Sequence, residues 1–563
     1  MATTGNQWAS FMLGALDNQT SARLVPLQTT NLYTYSTYFQ DDWQLNDRLT
    51  MNLGIRWEYE PGITDPENRL SQGLDLTQPI PEMQASPPSM PSQAAALMAS
   101  KGYGWTYNGA WKFVNADDRS LWKTAWNNFM PRFGVNYRLA DNSVVRFAYA
   151  RFRMPLSNLR DTLGDFVNQY TGFAQTTNTL NLSNGRPQQV LNDPYPSINP
   201  VQEEVGQTLG RYTGLGNAVS FDQYAILPQL NDRINISYQR QIWGGFVLDA
   251  AYFYNYGSRV PYNVNLNMRD PAFTYEQGAA LNVQVPNPFR NYLTPDVFPG
   301  SLRNQTTVAL GSLLVPYPQY GAITQTNTSA GRNMKTHSVD LRVQRPFTKG
   351  VSVMVAYAFQ RDRIENFLGD IQEYEVMTTG GKSGWEWQPV NPVLPEHRVT
   401  SAFTWQIPIG RERAYLDEMP VLLDAVLGGW QYSAALRFYS GRPILFNTLA
   451  VSGNPKLDNP TRDKWFDTSM FSALPAFTPR TNPVYYEGLN GPGSQFVDMT
   501  LTKSFMMGPR YRLEARLETY NTFNTIVWDQ PEVTFGNANF GKVTRKRTDG
   551  QGREIQVGLR FVF

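Results

Sequence analysis

Apolar and polar residues alternate with a period of two in thirteen segments of the chain, most of them about ten residues long. In residues 49–59 (LTMNLGIRWEY), every odd-numbered residue is apolar or aromatic and every even-numbered residue is polar or glycine. The last eleven residues (REIQVGLRFVF) repeat this pattern and end on Phe563. Because successive side chains of a strand point to opposite faces, the pattern predicts strands with one apolar and one polar face.

Twelve of these segments form six pairs, most of them with a visible short turn, and residues 553–563 stand alone. Pro346 is expected in the turn of the fourth pair rather than in a strand. The paired segments are 31–44 with 49–59, 132–139 with 143–152, 234–239 with 246–254, 339–343 with 351–359, 397–407 with 430–439, and 496–505 with 511–521.

Long connections rich in Gly, Pro, Asn, Asp and aromatic residues separate the pairs. They cover residues 60–128, 154–231, 258–335, 361–396, 441–495 and 522–552, and only residues 92–102 have a helical pattern. A compact soluble domain rarely contains even one structureless connection of this length. Outer-membrane barrels, in contrast, combine short periplasmic turns with long extracellular loops.

The polar faces carry charge, which favours lipid over a soluble core on the opposite side. Arg512, Glu514, Arg516 and Glu518 alternate in sign along one face, and Tyr511, Leu513, Ala515 and Leu517 form the other. The charged row suits a water-filled lumen, because Arg or Lys facing lipid at mid-depth costs about 2–4 kcal/mol. We therefore predict an all-β fold, the antiparallel transmembrane β-barrel portion of an outer-membrane protein.

A soluble β-sandwich, propeller or carbohydrate-binding β protein would also alternate apolar and polar residues. Aromatic residues make up 13% of the chain, and loop aromatics such as Trp385 and Trp387 could bind sugar in such a protein. Trp57, Tyr59, Trp405 and Trp430, at the ends of segments, are better interpreted as anchors at the membrane interface.

No catalytic, cofactor or metal site is predicted, and the chain is not expected to be an enzyme. There is no Cys, there are two His, and the net charge of +2 is scattered, so nucleic acid is not an expected partner. Ser440-Gly441 lacks the flanks of a nucleophile elbow. The remaining acidic and histidine candidates lack the spacing of a metal site: Asp41, Asp42, Asp458, Asp463, Asp467, Glu396 and His397.

An odd number of strands predicts that the chain builds only part of a closed barrel. With the last strand ending at the short turns, the first of thirteen strands begins at the long loops, whereas closed barrels with both ends periplasmic have an even number. An open edge in hydrocarbon leaves backbone groups unpaired at several kcal/mol each. The N-terminal stretch has no basic residue before Arg23 and is not interpreted as a signal peptide.

An ordered set of segments resembles TonB-dependent outer-membrane receptors, particularly the Oar-like subgroup with an N-terminal carboxypeptidase-regulatory-like domain. Each segment is weakly specific, but the set in order is strongly so. The segments are YFQDDWQLNDRLTMNLGIRWEY (38–59), NFMPRFGVNYRL, HRVTSAFTWQIPIG, LGGWQYSAALRFYSGRPI, KWFDTSMF, GPGSQFVDMTLTKSF, RLEARLETYNTFN and FGKVTRKRTDGQGREIQVGLRFVF.

This resemblance implies a 22-stranded barrel closed by a plug, of which the chain holds about thirteen strands. Residues 1–30 correspond to a loop segment and residues 31–563 to the C-terminal portion, while the plug and the regulatory-like domain are absent. A separate chain is one possible source of the missing strands. The end of the chain resembles the signal that the barrel assembly machinery recognises, formed by Ile555, Val557, Leu559, Phe561 and Phe563.

The functional expectation is a receptor for energised solute uptake in the outer membrane of a Gram-negative-type bacterium. Its expected partners are outer-membrane lipid, the barrel assembly machinery and, only through the missing plug, the TonB complex. The chain is not expected to transport solute alone. A surface protein for adhesion or secretion is the alternative from another class.

Overall fold

The structure is a computed structural model, and thirteen of its strands form a continuous antiparallel wall. The wall strands follow one another in chain order within a larger fifteen-stranded sheet, so all thirteen predicted strands are confirmed. The described residues are 6–16, 21–24, 29–123, 125–156, 171–179, 189–269, 271–366, 386–390, 394–411, 413–447, 449–477, 482–508 and 510–563.

The wall strands are labelled β1 to β13. They are β1 (Tyr35–Asn46), β2 (Leu49–Tyr59), β3 (Phe129–Ala140), β4 (Ser143–Arg153), β5 (Leu230–Gln241), β6 (Val247–Asn265), β7 (Ile323–Thr348), β8 (Val351–Asn366), β9 (His397–Gln406), β10 (Trp430–Tyr439), β11 (Ser494–Met507), β12 (Tyr511–Tyr520) and β13 (Glu554–Val562).

Connections alternate between two edges of the wall, as antiparallel pairing requires. On the short-turn edge, β7 and β8 are joined by Lys349 and Gly350, both with positive φ (51° and 78°). The placement of Pro346 in the turn is wrong: it lies at the end of β7, where the register shifts between Arg345 and Thr348. A proline is tolerated there because the shift interrupts the hydrogen-bond ladder.

One connection on the short-turn edge is not short. β9 and β10 are joined by residues 407–429, which include a helix at Val421–Leu427. The extended pairing of β6 and β7, 19 and 26 residues long, also exceeds the expected ten residues, since both strands continue beyond the period-two segments into the loops.

In the part of the chain that the structure describes, the long connections are folded rather than structureless. The helices within the described residues are α1 (Gln7–Met12), α2 (Pro81–Ala85), α3 (Ser92–Ser100), α4 (Pro271–Gln277), α5 (Leu310–Leu313) and α6 (Val421–Leu427). Helix α3 confirms the helical pattern at 92–102. The antiparallel pairs outside the wall are Ser21–Leu24 with Gln175–Asn178, Ser71–Pro79 with Asn108–Phe113, Gln284–Pro286 with Thr307–Ala309, Pro443–Leu445 with Tyr485–Asn490, and Ala450–Val451 with Phe471–Ser472.

Two further short strands extend the large sheet. Val219–Asp222 pairs in parallel with β7, and Glu386–Pro389 pairs with the outer end of β8. Single 3₁₀ turns lie at Gly210–Tyr212, Trp243–Gly245, Gly278–Asn282, Ser301–Asn304 and Thr468–Met470.

The buried apolar clusters lie in the long connections, and we call these packed connections the loop head. The largest cluster includes Trp111, Phe221, Phe289 and Phe298, contributed by three different connections. Two smaller clusters surround Trp122 and Phe466. The loop head thus has its own cores, and the largest of them includes Ile323 at the start of β7.

The wall itself has two faces, which we define on β12. The polar face carries Arg512, Glu514, Arg516 and Glu518, and the apolar face carries the alternate residues from Tyr511 to Leu517. The strand register extends both faces to neighbouring strands: Leu517 lies between Leu501 and Val557. Large exposed apolar surfaces mark contact with lipid or protein, and in this sheet they form a continuous face.

The two end strands, β1 and β13, each pair with one wall strand and not with each other among the described residues. The wall is therefore open. Among the helices that the structure describes, none is both long enough and apolar enough to span a membrane.

Candidate functional site

The charged row of β12 lies on one face, as the alternation predicts. Glu514 is nearly buried between two arginines: its Oε1 lies 3.1 Å from Arg512 Nε and its Oε2 3.7 Å from Arg516 Nη2. Glu518 follows on the same face, opposite Thr500 of β11. That this face lines an enclosed lumen stays a prediction.

Charge pairs on other strands continue the polar face across the wall. Arg342 Nη2 lies 2.9 Å from Asp249 Oδ2, and Arg437 Nη2 lies 3.0 Å from Asp498 Oδ2. A further ion pair joins Arg56 to Glu58, and Arg146 and Arg398 donate hydrogen bonds to the neutral amides of Gln239 and Gln360. With both signs interspersed, this surface can hydrogen-bond a polar solute without selecting strongly for one charge.

The apolar residues of the predicted assembly signal are exposed along β13 and just beyond it. Ile555, Val557 and Leu559 are 62–75% exposed, and Phe563 is 90% exposed. Phe561 stacks on Tyr511 of β12, with ring centroids 5.8 Å apart. Their role in recognition by the assembly machinery stays a prediction.

The proposed anchors lie on the apolar face at both edges of the wall. Trp57 and Tyr59 stack at the long-loop end of β2, with ring centroids 6.2 Å apart. Trp405 and Trp430 lie at the short-turn ends of β9 and β10. Aromatic girdles at two levels are typical of outer-membrane barrels, and the anchoring role itself stays a prediction.

The weaker candidates have structural partners. His397 Nδ1 lies 2.8 Å from the Tyr357 hydroxyl, and Glu396 binds Arg361 and Arg363 at 3.1 and 2.9 Å. Ser440 Oγ accepts a hydrogen bond from the His397 backbone N–H. In the described part of the chain, no group of three or more His, Asp or Glu residues lies close enough together to hold a metal ion.

An open cleft of about 610 Å³ lies within the loop head. Its walls include the side chains of Arg23, Gln175, Thr213 and Asn217, together with Trp111. Its volume is in the range of small-molecule sites, about 300–1,000 Å³. Trp385, the other candidate sugar-binding aromatic, lies outside the described residues, and Trp387 has the Lys335 ammonium 4.1 Å above its ring.

Hydrogen bonds perturb two ionisable groups of the loop head. Burial opposes ionisation of Asp75, but bonds from Lys112 and Thr77 outweigh burial and lower the pKa of Asp75 to about 2. Burial and a hydrogen bond to Asp118 raise the pKa of Tyr224 to about 12. Both groups stabilise loop contacts, and neither has the pKa of a general acid or base near neutral pH.

Sequence reasoning missed two features. Glu60, fully buried, binds Arg153 Nη1 at 2.9 Å, and this pair joins two distant strand ends. Lys503 lies on the apolar face, opposite Ala515 and Trp430. The period of FVDMTLTKSF does place this lysine among apolar residues, so a signal was present, but its partners were not visible.

The comparison with protein families decides what the wall belongs to. The outer membrane beta barrel domain family matches residues 1–556, nearly the whole chain. The chain belongs to the outer membrane beta barrel domain family. This outer-membrane barrel chain is therefore located in the outer membrane of a Gram-negative bacterium, and a soluble carbohydrate-binding protein is not supported.

Three solved structures are among those similar to this barrel chain. The ferripyoverdine receptor of the Pseudomonas aeruginosa outer membrane, bound to ferripyoverdine, is 10% identical with a TM-score of 0.36, covering 95% of this chain and 39% of that one. The ferric-catecholate import receptor Fiu from E. coli K12 is 14% identical with a TM-score of 0.35, and the match covers 95% of this chain and 45% of that one. The FrpB iron transporter from Neisseria meningitidis is 10% identical with a TM-score of 0.33, and the match covers 95% of this chain and 55% of that one.

The barrel chain spans between 39% and 55% of the length of these three proteins. No curated protein matches its sequence significantly.

Proposed function

We propose that this chain is the C-terminal barrel portion of a TonB-dependent, Oar-like outer-membrane receptor for energised solute uptake. In this proposal, residues 31–563 supply about thirteen strands of a 22-stranded barrel and residues 1–30 belong to a preceding loop. The remaining strands, the plug and the contact with TonB come from other sequence or from a second chain. The chain performs no bond chemistry and does not transport solute alone.

The observation that carries the proposal is a charged polar face beneath a folded loop head. Pairs such as Arg437 with Asp498 suit a water-filled lumen, and the loop head lies at the edge where an external ligand would arrive. Loops longer than about 12–15 residues are usually either functional or disordered, and the described parts of these connections are folded. The cleft beside Arg23 offers the ligand a first contact.

The open edges support the proposal that more strands complete the wall. β1 and β13 each have one wall neighbour among the described residues. In hydrocarbon, each unpaired backbone group costs several kcal/mol, so two free edges favour closure by further strands.

Uptake by the native bacterium tests the receptor role. A strain lacking the gene is compared with its parent for uptake of radiolabelled ferric catecholate and hydroxamate siderophores, cobalamin and maltodextrins, with and without a protonophore. We expect at least one uptake activity to fall to the protonophore-treated level and to return on complementation. Unchanged uptake of every solute would contradict the proposal.

The same strains test the alternative of a surface protein for adhesion or secretion. The size of the loop head, with three buried clusters, is the observation that favours this alternative. Loss of attachment or of secreted protein with all uptake intact would support it over the receptor role.

A further inference from the structure

The long connection on the short-turn edge carries an apolar helix that the described chain leaves uncovered. The other connections on this edge have two to five residues, whereas residues 407–429 include α6, with the sequence VLLDAVL. Leu422 is 84% exposed, and Val421 and Val426 are each 64% exposed. A helix of seven residues is too short to be stable in water through its own hydrogen bonds, so its environment must stabilise it.

Two side chains of the apolar face hold α6 beside the wall. The Lys503 ammonium donates to the carbonyl of Gly428 and, at 3.4 Å, to that of Asp424. Trp430 Nε1 donates to the carbonyl of Val426 at 2.8 Å. Because Lys503 and Trp430 pair directly within the apolar face, the C-terminal end of α6 lies on that side of the wall.

The other part of the connection contacts the polar face. Arg413 Nη1 donates a hydrogen bond of 3.3 Å to Oε1 of Gln406. Gln406 is the last residue of β9 and lies on the polar face. Asp424 Oδ1 accepts a hydrogen bond from the Arg411 backbone N–H at 2.8 Å and so joins the two parts. A Cβ at Gly410, where φ is +131°, would lie 2.7 Å from that oxygen. The connection therefore crosses the edge of the wall in a defined conformation.

This geometry also explains a lysine in an apolar row. Lys503 is 5% exposed between Leu501 and Phe505. Gly428 follows the last turn of α6, where carbonyls lack intrahelical partners and carry partial negative charge, which suits an ammonium group. The Asp424 carbonyl also accepts from the Gly428 backbone N–H. The Lys503 ammonium and the carbonyls at the end of α6 are therefore hydrogen-bond partners, and the ammonium does not face lipid unpaired.

We propose that α6 lies in the periplasmic phospholipid leaflet, with its apolar side chains among the upper acyl chains, and anchors the short-turn edge of the wall. Phospholipid is the occupant that the structure favours because α6 continues the apolar face: Met507 and Tyr511, at the same edge of that face, are also about half exposed. Apolar side chains at this boundary are typical of interfacial helices.

A depth measurement tests this proposal directly. The chain has no Cys, so Leu422→Cys carries a single nitroxide label in the full chain inserted into phosphatidylethanolamine–phosphatidylglycerol vesicles. Leu517→Cys on the apolar face is the lipid control, and Asp47→Cys in the β1–β2 turn is the water control. We expect the label at 422 to have an oxygen-to-nickel-chelate accessibility ratio several-fold above that at 47 and below that at 517, which lies deeper, beside Leu501 near the middle of β11.

Each other outcome overturns the proposal. Ready access of the nickel chelate at 422, as at 47, would place α6 in water, and low access of both reagents would indicate a covering protein. A water-like signal at 517 would show that the apolar face is not in lipid, and the proposal fails with it.

Lys503 provides an independent test of the anchoring contact. With the label at 422, Lys503→Leu is expected to raise label mobility and lower the accessibility ratio, while Thr500→Ala on the polar face of the same strand leaves both unchanged. No change in either variant would refute the role of Lys503. This test does not depend on solute uptake, so its result is separate from that of the proposed receptor function.

Discussion

Neighbouring residues of β11 offer a direct test of which face of the wall meets lipid. Leu501 lies on the apolar face between Tyr432 and Leu517, and Thr500 lies on the polar face opposite Glu518. Both are near the middle of the fourteen-residue strand, so they are at nearly the same depth. Arginine introduced at each position therefore has the same side chain and depth but a different environment.

The expected costs differ because only one of the two arginines would enter lipid. Arg on the lipid face at mid-depth costs about 2–4 kcal/mol. A cost of about 2 kcal/mol lowers the folding equilibrium constant by a factor of about 30, and a cost of about 4 kcal/mol lowers it several hundredfold. At Thr500, the guanidinium would be in water beside the Glu518 carboxylate, an exposed pair that contributes about 0–1 kcal/mol. We expect Leu501→Arg to be destabilising and Thr500→Arg to be nearly neutral.

The measurement is guanidinium chloride unfolding from phosphatidylcholine vesicles, followed by the fluorescence of the 14 tryptophans. The free energy of unfolding is compared between each variant and the parent chain under identical lipid and salt conditions. An equal or larger cost for Thr500→Arg would refute the assignment of the two faces. Two neutral variants would show that neither face is in hydrocarbon.

Three further predictions concern the buried ion pair, the last residue and an acid-sensitive loop. Glu60→Ala should lower the free energy of unfolding by about 1–3 kcal/mol, because it removes the acceptor of Arg153 Nη1 and of the buried Leu156 backbone N–H, while Glu58 still lies 3.3 Å from Arg153 Nε; an unchanged free energy in chemical unfolding would contradict this. Phe563→Ala should reduce the amount of chain in the outer-membrane fraction, whereas Phe535→Ala in the loop head should not; equal amounts would refute the assembly signal. The folded pKa of Asp75 is lowered from 3.8 to about 2, so its carboxylate stabilises the loop above about pH 4 and loses this effect as the pH falls towards 2. The protection of the Ser71–Pro79 amides, relative to their intrinsic exchange rates, should therefore fall between about pH 4 and about pH 2 in the parent chain and change less in Asp75→Asn. The same pH dependence of protection in both chains would contradict this.

The sequence was sufficient to predict the strands of the wall, because a sheet with a different environment on each side has apolar and polar residues alternating along every strand. Thirteen strands, their order and most turns follow from that alternation, and so does the position of Arg512 to Glu518 on one face. It could not show the register shift at Pro346, since the shift between Arg345 and Thr348 lies beyond the last apolar residue of the period-two segment at 339–343.

The tertiary structure alone decided the loop head, the Glu60–Arg153 pair and the place of α6. The clusters around Trp111, Trp122 and Phe466 bring together residues from connections that are far apart in sequence, and no local pattern encodes such contacts. Lys503 shows the division most clearly: the alternation places it in an apolar row, but only the folded chain supplies the carbonyls of residues 424 and 428 that bind it. Local periodicity depends on the solvent at each face, whereas these partners depend on where distant segments meet.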